Sequence, residues 1–563
     1  MAIFMGTINK LKNNFHRHWP LIIALTVLWI TIAFILIVTL KMNYNHFTYA
    51  LDDAYIHMSI SKNFALHGVW GVTKYEFSSS ASSLLWPLLL SAIYFVTGAN
   101  DLIPFILNII LGTATIIIVY YILKSFKIPP IYNLMVLICV VFFTPIPSLI
   151  FMGMEHILQI ILIIIFVYIS AQNLTNKTPK LLYYYLLPLL AILLTMVRYE
   201  SLILISIVAF LFMLKRRFVY SLSIMGLSCL PLAIYGVISI YNGWSFLPNS
   251  LILKSSFINS IPNISLNDLG STIYSILIPD EFSHIIVNLV AFISAFIILT
   301  IALLLFREKN TIWESPIIWL ILTGTLIFTQ LIFIDNNWLL RYTSYLVVMG
   351  LIAITIGLYN YMPKNLSFNS NKSNKLNNPN NKSIPKYMGI VLILLLLLSP
   401  FGVKAYDLLI VPQSTNDIYQ QQYQMALFLG DYYQNDSIAA NDIGAINYFT
   451  DIKCLDLVGL SSNDIAQSHK TNTFNAQKLN SIANQHQVKI AIIYDQWWDG
   501  NIPSNWIKVG EWTTPHYLIL GNDTISFYAT SPEYAAELIK NLRAFSSRLP
   551  KEIKQNGIYT TAN

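Results

Sequence analysis

The chain has 563 residues, 55% of them hydrophobic and 11% charged, with a formal net charge of +7 and a mean hydropathy of +0.59. A soluble globular protein could not wet a surface of that composition, so the sequence reads as a polytopic α-helical membrane protein. Its three cysteines, Cys139, Cys229 and Cys454, exclude a disulfide framework and a thiolate metal site.

The first hydrophobic run, Trp19 to Leu40, is too long for the core of a cleavable signal and has no small-residue cleavage pattern after it, which predicts a retained signal anchor. Further runs lie near 102–123, 128–147, 148–170, 181–197, 199–214, 219–240, 285–306, 314–333, 339–360 and 387–403, giving about eleven spans. The run Ser83–Thr97 is apolar but short, and it contains Pro87. Charge decides its place. If it does not span and the N-terminus is cytoplasmic, then Lys10, Lys12, Arg17, Lys124, Lys127, Lys177, Lys180, Lys215, Arg216, Arg217, Arg307 and Lys309 all fall inside. The run is therefore expected to be an interfacial or re-entrant helix on the outer side.

This topology makes residues 41–101 an outer loop. Residues 361–386, rich in Asn, Ser and Lys, become a flexible cytoplasmic linker. Residues 1–403 form the membrane module, and 404–563 a soluble extracytoplasmic α/β domain. In that domain helices are expected at 417–432, 474–486 and 532–547, with strands at "SIAAN", "KCLDLVGL", "VKIAIIY" and "TISFYAT" and a turn at Gly444. In "YDQWWDG", Trp497 and Trp498 lie between Asp495 and Asp499 and could stack on a sugar; inward packing is the commoner use of Trp.

Directly after the first span stands "LDDAYIHM". Leu51, Ala54, Tyr55, Met58, Ala65 and Leu66 recur at helical spacing, which predicts an amphipathic helix along the outer surface with Asp53 and His57 on one face. Asp52 or Asp53 could cap that helix, act as a general base toward a hydroxyl, or join His57 on a divalent cation. Other ionisable groups fall near the same membrane face: Glu155 and His156 in "GMEH", Arg198 and Glu200 in "VRYES", Lys254 in "FLPNSLILKSS", and Arg341 in "WLLRYTSY". Each cation alone could be a snorkelling side chain. Gathered from separate loops they suggest a shared cavity in which cations hold a lipid-linked phosphate beside a working carboxylate.

The order of these motifs, "DDAYI", "SSSASSLLWPLLLSA", "GMEH", "VRYES", "FLPNSLILKSS", "LLRYTSY", "NDIGAINYF" and "DLVGL", resembles bacterial GT-C-type glycosyltransferases related to terminal arabinofuranosyltransferases and protein mannosyltransferase-like enzymes. The resemblance runs from about residue 50 to 460, and the order of the motifs is what makes it specific. It implies transfer of a sugar from a polyprenyl-phosphate donor to an extracytoplasmic glycan, lipid or protein acceptor at the inner membrane, with no nucleic acid involved. Asp52 or Asp53 would then be the base, Arg198, Lys254 and Arg341 would bind donor phosphate, and His57, Glu155, His156 and Glu200 would contact substrate. Tyr199 stands where relatives often have Pro between Arg and Glu. The rival readings are a transporter or flippase for lipid-linked glycans, a polymerase or ligase of surface polysaccharide, and an inactive carbohydrate-binding membrane protein. The absence of an internal repeat and the large outer domain weigh against transport.

Overall fold

The computed structural model describes residues 2–176, 180–254, 282–333, 341–361 and 408–560, with side chains of 2–17, 252–254, 282–291, 331–333 and 361 outside that description. The expected span 387–403 and all but the first residue of the linker 361–386 lie outside the described residues.

Among the described residues, six helices are long and apolar enough to cross a membrane: His18–Met42, Ile103–Ser125, Pro130–Met152, His156–Thr175, Phe218–Tyr241 and Arg341–Asn360. Shorter apolar helices, Leu85–Thr97, Leu181–Val197, Ser201–Leu214 and Ser315–Gln330, pack among them. Ile30, Phe34 and Ile37 on the first helix are 64%, 66% and 66% exposed. Such a stripe is tolerable in hydrocarbon and not in water. At 1.5 Å per residue the 85–97 helix reaches about 20 Å, short of the roughly 30 Å hydrocarbon core.

The expected boundary between 128–147 and 148–170 falls elsewhere. Residues 146–152 continue the preceding span after a break at Thr144–Pro145, and the next span starts at His156. Pro145 and Pro147 cause the break, because proline removes a helix donor. Gly153 ends the segment in a left-handed conformation (φ 69°), where an added Cβ would lie 2.5 Å from the Tyr49 ring. That turn aims Glu155 inward.

The C-terminal domain is a six-stranded mixed sheet in the order β2-β1-β3-β5-β4-β6. Its strands are β1 (Ser437–Ala440), β2 (Lys453–Asp456), β3 (Ile490–Ile493), β4 (Ile507–Thr513), β5 (Thr524–Ala529) and β6 (Lys554–Gly557). The first three are parallel and the others join antiparallel. Strand alternation divides the core: Ile438, Ala440, Ile490, Ile492 and Phe527 bury one face, whereas Ala439, Ala491, Ile493 and Tyr528 bury the other. Residues 408–432 form the helix that leads into the domain, with a π-helical turn at Tyr419–Tyr423.

The Asp53–His67 helix differs from its expected amphipathic, surface-lying form. Ala54 through Ser61 are all buried, because the bundle covers one side of the helix and the Ala445–Phe449 helix of the C-terminal domain covers the other. His57, Ser59 and Ser61 can be buried because their polar atoms bond Ser82 or the carbonyl one turn back.

Candidate functional site

In a sheet with parallel strands, ligand chemistry gathers in the crevice beyond the carboxyl ends, where the chain leaves one strand in opposite directions. Here β1 lies between β2 and β3, and the segment after it, Asn441 to Gly444, meets the start of the 53–67 helix. The two neighbouring acids, Asp52 and Asp53, have separate partners at this junction.

Asp52 accepts the Gly444 N–H on Oδ2 at 2.7 Å and the Ala445 N–H on Oδ1 at 2.8 Å. It occupies the cap position of the 53–67 helix without making a side-chain bond to it. Instead, it satisfies the exposed donors at the start of the 445–449 helix in the other domain. Only glycine fits at 444, since an added Cβ would lie 2.1 Å from the Asp52 carbonyl oxygen. Burial pushes the Asp52 carboxyl up to about 7, with the charge of Asp442 adding to the rise and the two N–H bonds opposing it.

Asp53 turns the other way and accepts from Arg341 at 2.7 Å, its side chain 29% exposed. Arg341 and Arg198 both lie over the Tyr342 ring, at 5.0 and 4.8 Å from its centre. The His156 ring meets the same tyrosine edge-on at 5.7 Å. Arg198 clamps Glu200 with two nitrogens, Nε at 3.2 Å and Nη2 at 2.5 Å, and donates to Glu155 at 3.1 Å. Burial alone would raise the Glu155 carboxyl, but the charges of His57, His156 and Arg198 outweigh it and hold it at about 2. Both ring nitrogens of the buried His156 lack a hydrogen-bond partner.

His57 Nε2 lies 3.1 Å from Ser82 Oγ and 3.8 Å from Glu155 Oε2. A serine triad needs the serine and the acid on opposite nitrogens of the ring, and here both contacts fall on one. His57 therefore belongs to the polar wall of the site.

The structure thus gathers Asp52, Asp53, His57, Glu155, His156, Arg198, Glu200 and Arg341 at one end of the bundle. Lys254 ends the short Asn249–Lys254 helix, and its side chain lies outside the described residues. Among the described residues no group of three or more His, Cys, Asp or Glu side chains is arranged to hold a metal ion. A divalent cation drawing on Asp52 and Asp53 would have to displace the two N–H donors and Arg341.

Two participants were not singled out by sequence reasoning. Tyr342 is the ring both guanidiniums share. Asp442, half-buried at the junction of the domains, is bonded by Gln422 Nε2 at 2.8 Å and by the Tyr494 hydroxyl at 2.5 Å, and desolvation raises its carboxyl. Its signal was available in "NDIGAINYF": an acid and a glycine directly after a buried strand. The Gln-rich π-helical turn supplies Gln422 and also Gln421, which donates to the Asn522 carbonyl at 3.1 Å.

Residues 416–528 match a family model described as a domain of unknown function (DUF8728). The match includes Asp442 and Gly444 and stops short of every site residue of the bundle. No curated protein matches the chain.

Proposed function

We propose that this chain is a GT-C-type membrane glycosyltransferase that moves a sugar from a polyprenyl-phosphate donor to an extracytoplasmic acceptor, with Asp53 as the base. The observation that carries this reading is the Asp53–Arg341 pair, which shares Tyr342 with Arg198 at the junction of bundle and C-terminal domain. Asp52 is the poorer choice, because both its oxygens are taken by backbone N–H groups.

The chemistry follows from these partners. A donor phosphate competes with Asp53 for the Arg341 guanidinium, so its arrival loosens the grip of Arg341 on the carboxylate. An acceptor hydroxyl is too weak an acid to ionise near neutral pH, so Asp53 takes its proton as the new carbon–oxygen bond forms. The bond from the anomeric carbon to the phosphate breaks, and its electron pair leaves with the phosphate. Arg341 and Arg198 stabilise the charge that develops there. Glu155 and Glu200 orient Arg198 through three hydrogen bonds.

The finer topology belongs to the same proposal: eleven spans, a cytoplasmic N-terminus, and a C-terminal domain outside the cytoplasm. Its support is the distribution of cations, since Lys124, Lys215 and Arg217 all lie at the bundle end remote from that domain. The activity is tested by replacing Asp53 with Asn and weighing surface glycans by mass spectrometry. Loss of one sugar from a glycan, with the protein still inserted, is expected; an unchanged profile would overturn the assignment.

A further inference from the structure

Beyond the acid cluster, the carboxyl ends of β2 and β3 carry a second concave place. Two adjoining hollows, of about 320 and about 310 Å³, share His469, Trp497 and Trp498. Trp497 follows β3 and is 46% exposed, although its ring is fixed by an edge contact with Tyr494 at 5.1 Å. Opposite it, His469 stacks on Phe474 at 4.2 Å, and its Nε2 meets the Leu457 carbonyl at 3.1 Å. Both walls are therefore rigid aromatic surfaces. Trp498 is 5% exposed and lines both hollows, yet its indole N–H has no hydrogen-bond partner. Asn472 and Asn501 line one of the hollows and bring amide donors and acceptors.

We propose that this cleft binds a neutral sugar unit of the acceptor glycan. A sugar ring has apolar C–H faces and hydroxyl edges. The Trp497 face suits the first, and the Asn472 and Asn501 amides suit the second. No lysine or arginine is among the described lining residues, which disfavours a phosphate or carboxylate ligand. Asp495, two residues before Trp497, is held by Lys508 at 2.7 Å and Tyr528 at 3.1 Å, and Asp499, which follows Trp498, is exposed to solvent. The cleft adjoins the acid cluster through one buried side chain, because Trp497 packs on Tyr494, whose hydroxyl bonds Asp442. A glycan anchored here would extend from the tryptophan toward Asp53. This inference rests on the transferase reading, and it identifies the acceptor as a carbohydrate.

The test uses full-length protein immobilised in detergent micelles. The probe is the oligosaccharide pool released by mild acid from the envelope of cells lacking the protein. Wild-type protein and the Asp53→Asn variant are expected to retain the same neutral oligosaccharides. Trp497→Ala should bind them at least tenfold more weakly, and Trp497→Phe should keep most of the affinity. Equal retention by Trp497→Ala, or no retention by wild-type protein at millimolar glycan, would overturn the cleft. Transfer is read separately through Asp53→Asn, so either reading can fail while the other stands.

Discussion

Both ends of the helical bundle hold cations, in opposite ways. At the end remote from the C-terminal domain, Lys215 donates to the Leu174 carbonyl and lies 5.1 Å from the centre of the Trp313 ring. Arg217 donates to the Asn173 carbonyl at 3.0 Å, and Lys124 lies over Tyr120 at 5.5 Å. These cations meet carbonyls near the end of a helix and interfacial aromatics, which is ordinary membrane anchoring. At the other end, Arg198 and Arg341 are 5% and 3% exposed and are held by Glu155, Glu200 and Asp53. Removing charges from water is costly and rarely adds net stability. Five buried or half-buried charged groups at one end of a bundle therefore call for a functional reason, which Lys124, Lys215 and Arg217 at the other end do not.

The largest contrast between the ends is expected in activity. Asp53→Asn should lower sugar transfer by about 100-fold or more, the usual weight of a positioned base. Lys215→Gln, measured alongside, should leave it unchanged.

In stability the difference runs the same way. Arg198→Ala strips the buried Glu155 of its closest partner and should cost about 3–5 kcal/mol, read as thermal unfolding in detergent. Arg198→Lys should recover only part, because an ammonium cannot reproduce the two-nitrogen grip on Glu200. Asp52→Asn offers one acceptor oxygen to two N–H groups and should loosen domain docking by about 1–3 kcal/mol. Faster hydrogen exchange at the Gly444 and Ala445 amides would report it.

The two carboxylates also predict opposite responses to pH. The Asp52 carboxyl is pushed up to about 7, so the folded junction holds a proton that the free side chain has already lost. Docking then weakens as pH rises from the ordinary carboxylate range through about 7. Asp442→Asn removes the neighbouring charge and should shrink that slope. Glu155 is held at about 2, so its contribution is full above the ordinary range and disappears only as pH falls toward 2. Smallest of all, Lys215→Gln should change stability by about 0.3–1 kcal/mol, the value of a cation near helix-terminal carbonyls.

Local chemistry explains which of these features could be read in the sequence. Membrane character, the polar constellation and strands β1, β2, β3 and β5 follow from runs of apolar residues and from charges near span ends. Strand β4, "IKVGEWT", escaped because its polar alternation resembles a loop, and β6, "KQNG", because nothing in it is apolar. The shift of the 146–152 segment into the preceding span depends on Gly153 packing against Tyr49, a contact across about a hundred residues. The division of labour between Asp52 and Asp53 was beyond reach for the same reason. Both acids begin one helix, but their partners, Gly444 and Arg341, lie in other parts of the chain. Asp52 makes no side-chain bond to the helix it precedes and instead holds the start of the 445–449 helix, while Asp53 pairs with Arg341.

The central claim is that Asp53 acts on a hydroxyl while Asp52 holds the domains together. The most direct measurement is the mass profile of surface glycans from cells carrying Asp53→Asn, Asp52→Asn or no protein, with membrane insertion checked in each. The account predicts that Asp53→Asn matches the null strain in missing one sugar, and that Asp52→Asn keeps a measurable part of it. A full wild-type profile from Asp53→Asn would contradict it.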